Sequence, residues 1–362
     1  VAGFEPVIPA IKQSMLDVTP ILQDAIALIA PAMGNALAGV LPLLGQLAAA
    51  ITPILTPLVT GLGTIGKRLA ESGALTRFGC WDAGWQVPSS SGITQARTRL
   101  GAPVLEEIFE SVVQPVGTAD TRGTWLRRWR VLAIDGFDVD MPGSDENAAE
   151  FGYAGSGDNR SAYPKARVVA MAECGSHAFL AAEVAGYDVG EQTLALRLYP
   201  RLRADELLTA DRGFYSFDAW RLAAGTGAAL LWRAPTGLRL PVVRVCPDGT
   251  YVSVVIDPNI RGKRRERILQ DARDGVELDP EQAFLVRVIE YDVPDRAGNG
   301  SGELIVLMTT ILEAAAARAD ELADTYHLRW EQETGQDQLK THLRGPGRLL
   351  RSRSPELVRQ EI

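Results

Sequence analysis

The chain has 362 residues, 46% of them hydrophobic and 23% charged, with a formal net charge of -8. This is a globular composition with room for two or three domains, and it excludes general disorder. The acidic balance argues against broad non-specific binding to nucleic acid but leaves room for a local basic groove. Cys80, Cys174 and Cys246 are too few and too scattered for a disulfide framework, which fits a reducing cytoplasm. Three histidines leave no basis for a His-rich zinc centre.

Residues 1–66 stand apart. They hold four charges, Glu5, Lys12, Asp17 and Asp24, and none lies between Ala25 and Gly66. Proline recurs every eleven residues, at Pro9, Pro20, Pro31, Pro42 and Pro53. Eleven residues make three helical turns of about 3.67 residues, so each proline returns to nearly the same azimuth. Stacked short helices with Pro near their starts, or one proline-kinked helix, are expected. A membrane segment is the rival, because the uncharged run exceeds about 20 residues. Regular prolines, many small residues and the lack of a basic flank weigh against it, and no membrane partner is expected. The runs Pro6-Val7-Ile8-Pro9-Ala10-Ile11 and Pro53-Ile54-Leu55-Thr56-Pro57-Leu58 resemble the apolar repeats of phage tape-measure proteins.

Residues 67–120 read as a small helical module. Ser89 to Ser91 offer caps for a helix through Arg97, and Gly101-Ala102-Pro103 turns into a second helix over Val104–Val113. Two packed helices with a tight turn serve either as plain structure or as a DNA-reading unit.

From Arg130 the pattern becomes a buried strand, Val131-Leu132-Ala133-Ile134, ending in Asp135-Gly136 and running on to about Met141 past Asp138 and Asp140. Strands are expected at Lys165–Glu173 and His177–Val184, then a helix near Glu191–Leu198. A second apolar strand, Glu206 to Ala210, again ends in an acid shortly before a glycine, Asp211-Arg212-Gly213. Ser216 caps a helix of about ten residues, and Ala228–Arg233 is a further strand. The order of three strands, helix, strand, helix is that of a ribonuclease-H-like α/β core. Residues from about 235 to 311 interrupt it with a β-rich insertion: Pro247-Asp248-Gly249 is a hairpin turn, and Phe284–Val293 and Glu303–Ile311 flank a Gly- and Asn-rich connection.

A helix is expected from about Leu312 to His342. On it Tyr326, Arg329, Glu333, Asp337 and Lys340 follow one another at three, four, four and three residues and share a stripe. Taken alone this is a solvated face whose ion pairs are worth about 0.2–0.5 kcal/mol each. The order Tyr, two residues, Arg329-Trp330, then Glu333 and Lys340, resembles the Y-(2)-R-(3)-E-(6)-K signature of bacterial DDE transposases of the insertion-sequence-four family. The two strand-end aspartates and the insertion before the Glu333 helix agree with it. The gaps agree too, 76 residues from Asp135 to Asp211 and 122 from Asp211 to Glu333. The resemblance covers roughly residues 67–362, including Leu75-Thr76-Arg77-Phe78-Gly79-Cys80 through Leu100. Residues 1–66 are foreign to it, and the resemblance leads one to expect the family's carboxy-terminal helices to be cut off after Ile362.

The resemblance implies a DNA transposase that cuts and pastes insertion-sequence ends. Asp135, Asp211 and Glu333 form its catalytic triad and hold Mg²⁺ or Mn²⁺, two ions by analogy. Three close carboxylates repel one another, and a hard divalent cation removes that conflict. Asp138 and Asp140 are rivals to Asp135, which ends the buried run. Tyr326, Arg329, Lys340, Arg344 and Arg348 are the implied DNA contacts, and Arg97 and Arg99 are further phosphate candidates. Trp232 is either core or a stacking platform for an extruded base. Arg261 to Arg267 and Arg351, Arg353 and Arg359 are basic clusters that fit either solvated faces or DNA backbone. Double-stranded DNA, as terminal inverted repeats and target, and a second copy of the chain are the implied partners, in a bacterial cytoplasm at the nucleoid. The alternatives are an inactive truncated transposase fused to a phage structural segment, and a metal-dependent nuclease on the same fold.

Overall fold

A computed structural model describes residues 89–293, 302–330 and 349–362. The expectations for residues 1–66 and for Cys80, Glu333, Lys340, Arg344 and Arg348 lie outside the described residues.

The chain divides into two compact units. Among the described residues the first comprises 89–113 with Glu356–Ile362. Helix α1 (Ser90–Leu100) is capped by the Ser89 hydroxyl, which accepts from the Gly92 amide at 3.1 Å. Gly101, at φ 77°, makes the turn into α2 (Ala102–Val112), where Pro103 sits in the first helical turn. The C-terminal residues close on these helices. Arg97 donates to the Gln360 side chain and the Leu357 carbonyl, both at 3.4 Å, and the Ala102 amide donates to Glu356. Arg97 is therefore engaged within its unit, whereas Arg99 is exposed.

The second unit, 114–355, is built on one ten-stranded sheet. A short β1 (Trp125–Leu126) pairs with β2 (Trp129–Asp140). Helix α3 (Asp145–Phe151) follows, then β3 (Lys165–Glu173), β4 (Phe179–Gly186), α4 (Glu191–Leu198), β5 (Glu206–Ala210), α5 (Phe217–Ala224) and β6 (Ala229–Arg233). Next come β7 (Val242–Val245), β8 (Tyr251–Ile256), α6 (Gly262–Arg273), β9 (Ala283–Val293), β10 (Glu303–Thr309) and α7 (Ala319–His327). The sheet order is β4-β3-β2-β5-β6-β10-β9-β8-β7. β2, β5 and β6 run parallel, and the other neighbours are antiparallel.

The parallel centre is where the sequence is most continuously apolar, because both faces of these strands are covered. All five residues of β5 are buried, as are Val131 to Ile134 of β2. One face carries Leu132, Ile134, Leu208, Ala210 and Leu230 against α4 and α5, and Trp232 is fully buried there between Trp220 and Tyr199, at ring-centroid distances of 5.3 and 5.4 Å. This settles Trp232 as core. The other face carries Val131, Ala133, Leu207 and Leu231 against Leu322 and Tyr326 of α7.

The insertion is β-rich as expected, and it also holds a helix: the basic run from Arg261 opens α6, whose Ile268 and Ala272 pack on Val254, Ile256, Ile260 and Ala283. Its apolar positions are few, so the charge run hides the helical period. The insertion strands extend the main sheet, β10 pairing with β6 through Thr309↔Leu231, Met308↔Trp232 and Leu307↔Arg233. One expectation needs correction: the helix expected from Leu312 starts at Ala319. The Arg318 amide donates to the Glu321 carboxylate at 3.0 Å, and two acids in the first turn complement the helix dipole. The helix ends at His327, so Tyr326 lies in its last turn and Arg329 just beyond its cap residue, Leu328.

Candidate active site

The pairing of β2 with β5 sets the geometry. Ala133 lies opposite Thr209 in the parallel register. The same offset, carried two residues on, puts Asp135 level with Asp211, on strands about 4.8 Å apart. Side chains alternate along a strand, so Asp135 shares a face with Val131 and Ala133, and Asp211 continues the Leu207 side. Both aspartates thus leave the sheet on the α7 side, at the carboxyl ends of their strands, a usual place for α/β sites.

The same period removes the rivals. Asp138 projects from the opposite face, directly across from Arg167, to which it pairs at 3.4 Å. Asp140 lies across from Lys165 and pairs with it at 2.6 Å. Each is the acidic half of a cross-strand ion pair.

Helix α7 and the residues just after it bring two more groups. Tyr326 is buried against the sheet, and Arg329 is 8% exposed with its Nη1 3.8 Å from Asp135 Oδ2. Burial pushes the Tyr326 hydroxyl up to about 12; Arg329 works against this and the Asp211 carboxylate adds to it. Arg233 of β6 also lowers it, and itself pairs with Glu303. Asp135, Asp211, Tyr326 and Arg329, four residues singled out from sequence, therefore meet at one sheet edge.

The acids are held differently. Asp135 Oδ1 accepts the Gly136 amide at 2.9 Å. Asp211 Oδ1 is buried with no hydrogen-bond donor among the described residues. A buried, donorless carboxylate oxygen is costly unless something positive meets it. Among the described residues no three His, Cys, Asp or Glu side chains stand close enough to hold an ion by themselves. Two acids on one face with an unsatisfied oxygen still fit a hard cation that takes oxygen ligands and keeps waters, with a further carboxylate completing the set.

Asp211 opens a short turn at Arg212–Phe214, and Ser216 then caps α5, its hydroxyl accepting the Ala219 amide at 3.1 Å. Ser216→Ala is expected to cost about 1 kcal/mol in a denaturant titration, because α5 anchors Phe217 and Trp220 in the core.

Residues 128–362 match the family described as the transposase DDE domain. The chain belongs to this DDE transposase family. Among curated relatives, the transposase InsG for insertion sequence element IS4 of Escherichia coli K12 is 28% identical over 278 residues, 75% of this chain and 58% of the relative. The putative transposase InsZ of the same organism is 30% identical over 155 residues, 42% of this chain and 52% of the relative. The chain spans a little over half the length of these relatives. A piggyBac transposase synaptic complex with hairpin DNA is a solved structure of partial likeness, with TM-score 0.35 and 10% identity over 63% of this chain and 43% of that one. No helix among the described residues is long and apolar enough to cross a membrane.

One acidic residue of this chain escaped the sequence reading. Glu191, the first residue of α4, lies against Gly136. Burial raises its pKa most; Arg167 offsets this, and Asp135 and Asp138 raise it further. In sequence it is only an acid at a helix start. The glycine after Asp135, which makes room for it, was the available signal.

Proposed function

We propose that this chain is the catalytic part of a DNA transposase that cleaves and joins insertion-sequence ends in a metal-dependent reaction, with Asp135, Asp211 and Glu333 as its acidic triad. The observation that carries the reading is the level placement of Asp135 and Asp211 on adjacent parallel strands, facing the helix that leads to Glu333. The order β4-β3-β2-β5-β6 with α4 and α5 on one face supports a ribonuclease-H-like core, extended by the insertion strands. Residues 67–120 would be a helical DNA-end module, 121–362 the catalytic domain, and 1–66 an unrelated apolar segment.

The triad would hold Mg²⁺ or Mn²⁺, two ions in this reading. Such ions polarise a phosphodiester and lower the pKa of an attacking water or 3′-hydroxyl. The protein's own groups position the DNA. Arg329 presents a planar fork suited to a phosphate, and Lys340, Arg344 and Arg348 would add point and fork contacts downstream. Tyr326 stays protonated at neutral pH, so its hydroxyl can donate to a phosphate oxygen. Terminal inverted repeats and target DNA are the proposed partners, two copies of the chain would hold the two ends, and the bacterial nucleoid would be its place of action.

Arg329→Ala is expected to weaken binding of a DNA end by about 1.5–3 kcal/mol, the worth of a hydrogen bond to a charged group. Mn²⁺ affinity should not fall with it, since the variant removes a cation that competes for Asp135. Filter binding and calorimetry on one preparation read the two effects.

The reading is tested on a DNA end carrying the inverted repeat that flanks the gene, with Mg²⁺ or Mn²⁺ and with Glu333→Gln as the control. Cleavage by the wild type that disappears in the variant supports the triad. Joining of a pre-cut end to target DNA separates a transposase from a nuclease of the same fold. Equal cleavage by both proteins overturns the Glu333 assignment.

A further inference from the structure

We propose that the outer face of α6 is a second DNA-backbone surface, on which Lys263, Arg264 and Arg267 hold phosphates of the duplex whose cut phosphate lies at Asp135 and Asp211. This rests on the reading of those two acids as the edge that acts on DNA. The run Arg261 to Arg267 carries five basic residues and one acid, Glu266, in a chain of net charge -8. Folding sorts them. Ile268 and Ala272 turn α6 onto the sheet, and Arg265 lies half-buried, its guanidinium donating to the Ile256 carbonyl at 3.5 Å. Lys263, Arg264 and Arg267 stay exposed, and Lys263 and Arg267, four residues apart, share one line of the helix.

The plain alternative is a solvated face whose charges serve the helix or pair with neighbours. Neither holds here. Cations in the first turn of a helix oppose its dipole, yet the first turn of α6 has no acid, and its cap residue Arg261 makes no side-chain hydrogen bond there. Elsewhere in this unit the guanidiniums are paired, Arg130 with Glu173, Arg167 with Asp138 and Arg233 with Glu303. Among the described residues Lys263 and Arg267 have no ion pair or hydrogen bond. Arg264 adds only a minor attraction to Asp279, whose oxygens already accept the Glu281 amide and the Gln282 side chain.

The sheet puts this helix on the same side as the acids. α6 packs on Val254, Ile256 and Ala283. Val254 pairs with Leu285, and Arg287, two residues on, keeps that face. From Arg287 the pairing runs through Thr309, Leu231 and Thr209 to Ala133, two residues before Asp135. Directly paired residues project to one face, so α6, α7 and the two aspartates share one side of the sheet. β8 is five strand spacings from β2, on the order of 24 Å at about 4.8 Å each. A duplex rises about 3.4 Å per base pair, so one seated at the acids and running across this side meets α6 roughly seven base pairs from the cut.

The test uses the full chain in chelator, with a duplex carrying the inverted repeat that flanks the gene. It compares the wild type with a variant combining Lys263→Gln, Arg264→Gln and Arg267→Gln. Fluorescence anisotropy over a salt series reads how many phosphates are neutralised, and hydroxyl-radical footprinting reads where they lie. Each lost contact lowers the slope of log affinity against log salt by about 0.9, so the variant should lose about 2.7. Its footprint should lose protection roughly seven base pairs from the cut and keep it at the cut, with the thermal midpoint unchanged or slightly raised. Arg264→Lys with Arg267→Lys keeps the charges and should keep the wild-type slope. A glutamine variant with the wild-type slope and footprint overturns the proposal and leaves the aspartate reading intact. A folded wild type that binds no DNA end overturns both. Normal end binding, with the loss confined to capture of target DNA, would give α6 to the target instead and overturns the proposal as stated.

Discussion

Asp211→Asn is expected to fold as well as the wild type in chelator, to lose the rise in thermal midpoint that Mg²⁺ confers, and to cleave DNA ends on the order of a thousandfold more slowly. The apo protein gains nothing from this charge. Asp211 has a buried oxygen without a donor, and Asp135 lies level with it on the next strand. Replacing the acid by its amide relieves repulsion and supplies an N–H, so stability without metal should hold or rise slightly. With metal the sign reverses. A cation that binds only the folded protein stabilises it by about 2.7 kcal/mol at a hundred times its dissociation constant, and removing one of its ligands removes most of that. A thousandfold rate loss corresponds to about 4 kcal/mol of transition-state stabilisation, which one carboxylate can supply only if it holds charge at the reacting centre. Melting curves with and without Mg²⁺, run beside the cleavage assay, separate the effects. A variant whose midpoint still climbs with Mg²⁺ as the wild type's does would remove Asp211 from the metal site.

How much of this was legible depends on whether the information is local. The apolar runs before Asp135 and Asp211 are local, and both strands stand where the pattern puts them. Their common register was nearly legible too, since the 76-residue gap equals the pairing offset that sets the two acids level. The choice of Asp135 over Asp138 and Asp140 could have been made from strand alternation alone, because separations of three and five residues are both odd and put the two rivals on the other face. What the alternation does not show is their partners, Arg167 and Lys165, which only the β2–β3 register supplies. Helix α6 was hidden because five of the seven residues from Arg261 are basic and its apolar contacts are few. Pairing of β10 with β6 joins residues more than seventy apart and leaves no local trace. Glu191 was missed for the same reason: its neighbour Gly136 is 55 residues away, and only the packed helix brings them together.

Arg287→Ala should be among the most destabilising single changes in the chain, costing about 3–5 kcal/mol. Arg287 lies mid-strand on β9, fully buried, in a run that otherwise reads as apolar. Its Nε donates to the Thr250 hydroxyl at 2.8 Å, its Nη1 to the Ala317 carbonyl at 2.7 Å, and its Nη2 pairs with Asp248. Thr250 in turn donates to Asp248 at 2.7 Å. One guanidinium thus ties the β7–β8 hairpin turn to the residue just before the cap of α7, the helix that carries Tyr326. Alanine leaves the Ala317 carbonyl, the Thr250 hydroxyl and the Asp248 carboxylate short of donors, and opens a cavity as well. At roughly 2–4 °C per kcal/mol for a unit of this size, the thermal midpoint should fall by about 6–20 °C. The pH dependence gives a second reading. Burial alone would raise the Asp248 carboxyl, but Thr250 and Arg287 outweigh it and the net shift is downward from the ordinary value of 3.8. A carboxyl depressed in the folded state contributes stability above its unfolded pKa and loses it as pH falls through the folded value. The wild type should therefore show an acid-labile component below about pH 4 that shrinks in Arg287→Ala. Arg287→Lys should fall between the two, since an ammonium restores the charge but cannot reach all three acceptors in one plane. Unchanged melting in Arg287→Ala would mean that the insertion does not brace α7, and the link between the hairpin and the Tyr326 helix would have to be sought elsewhere.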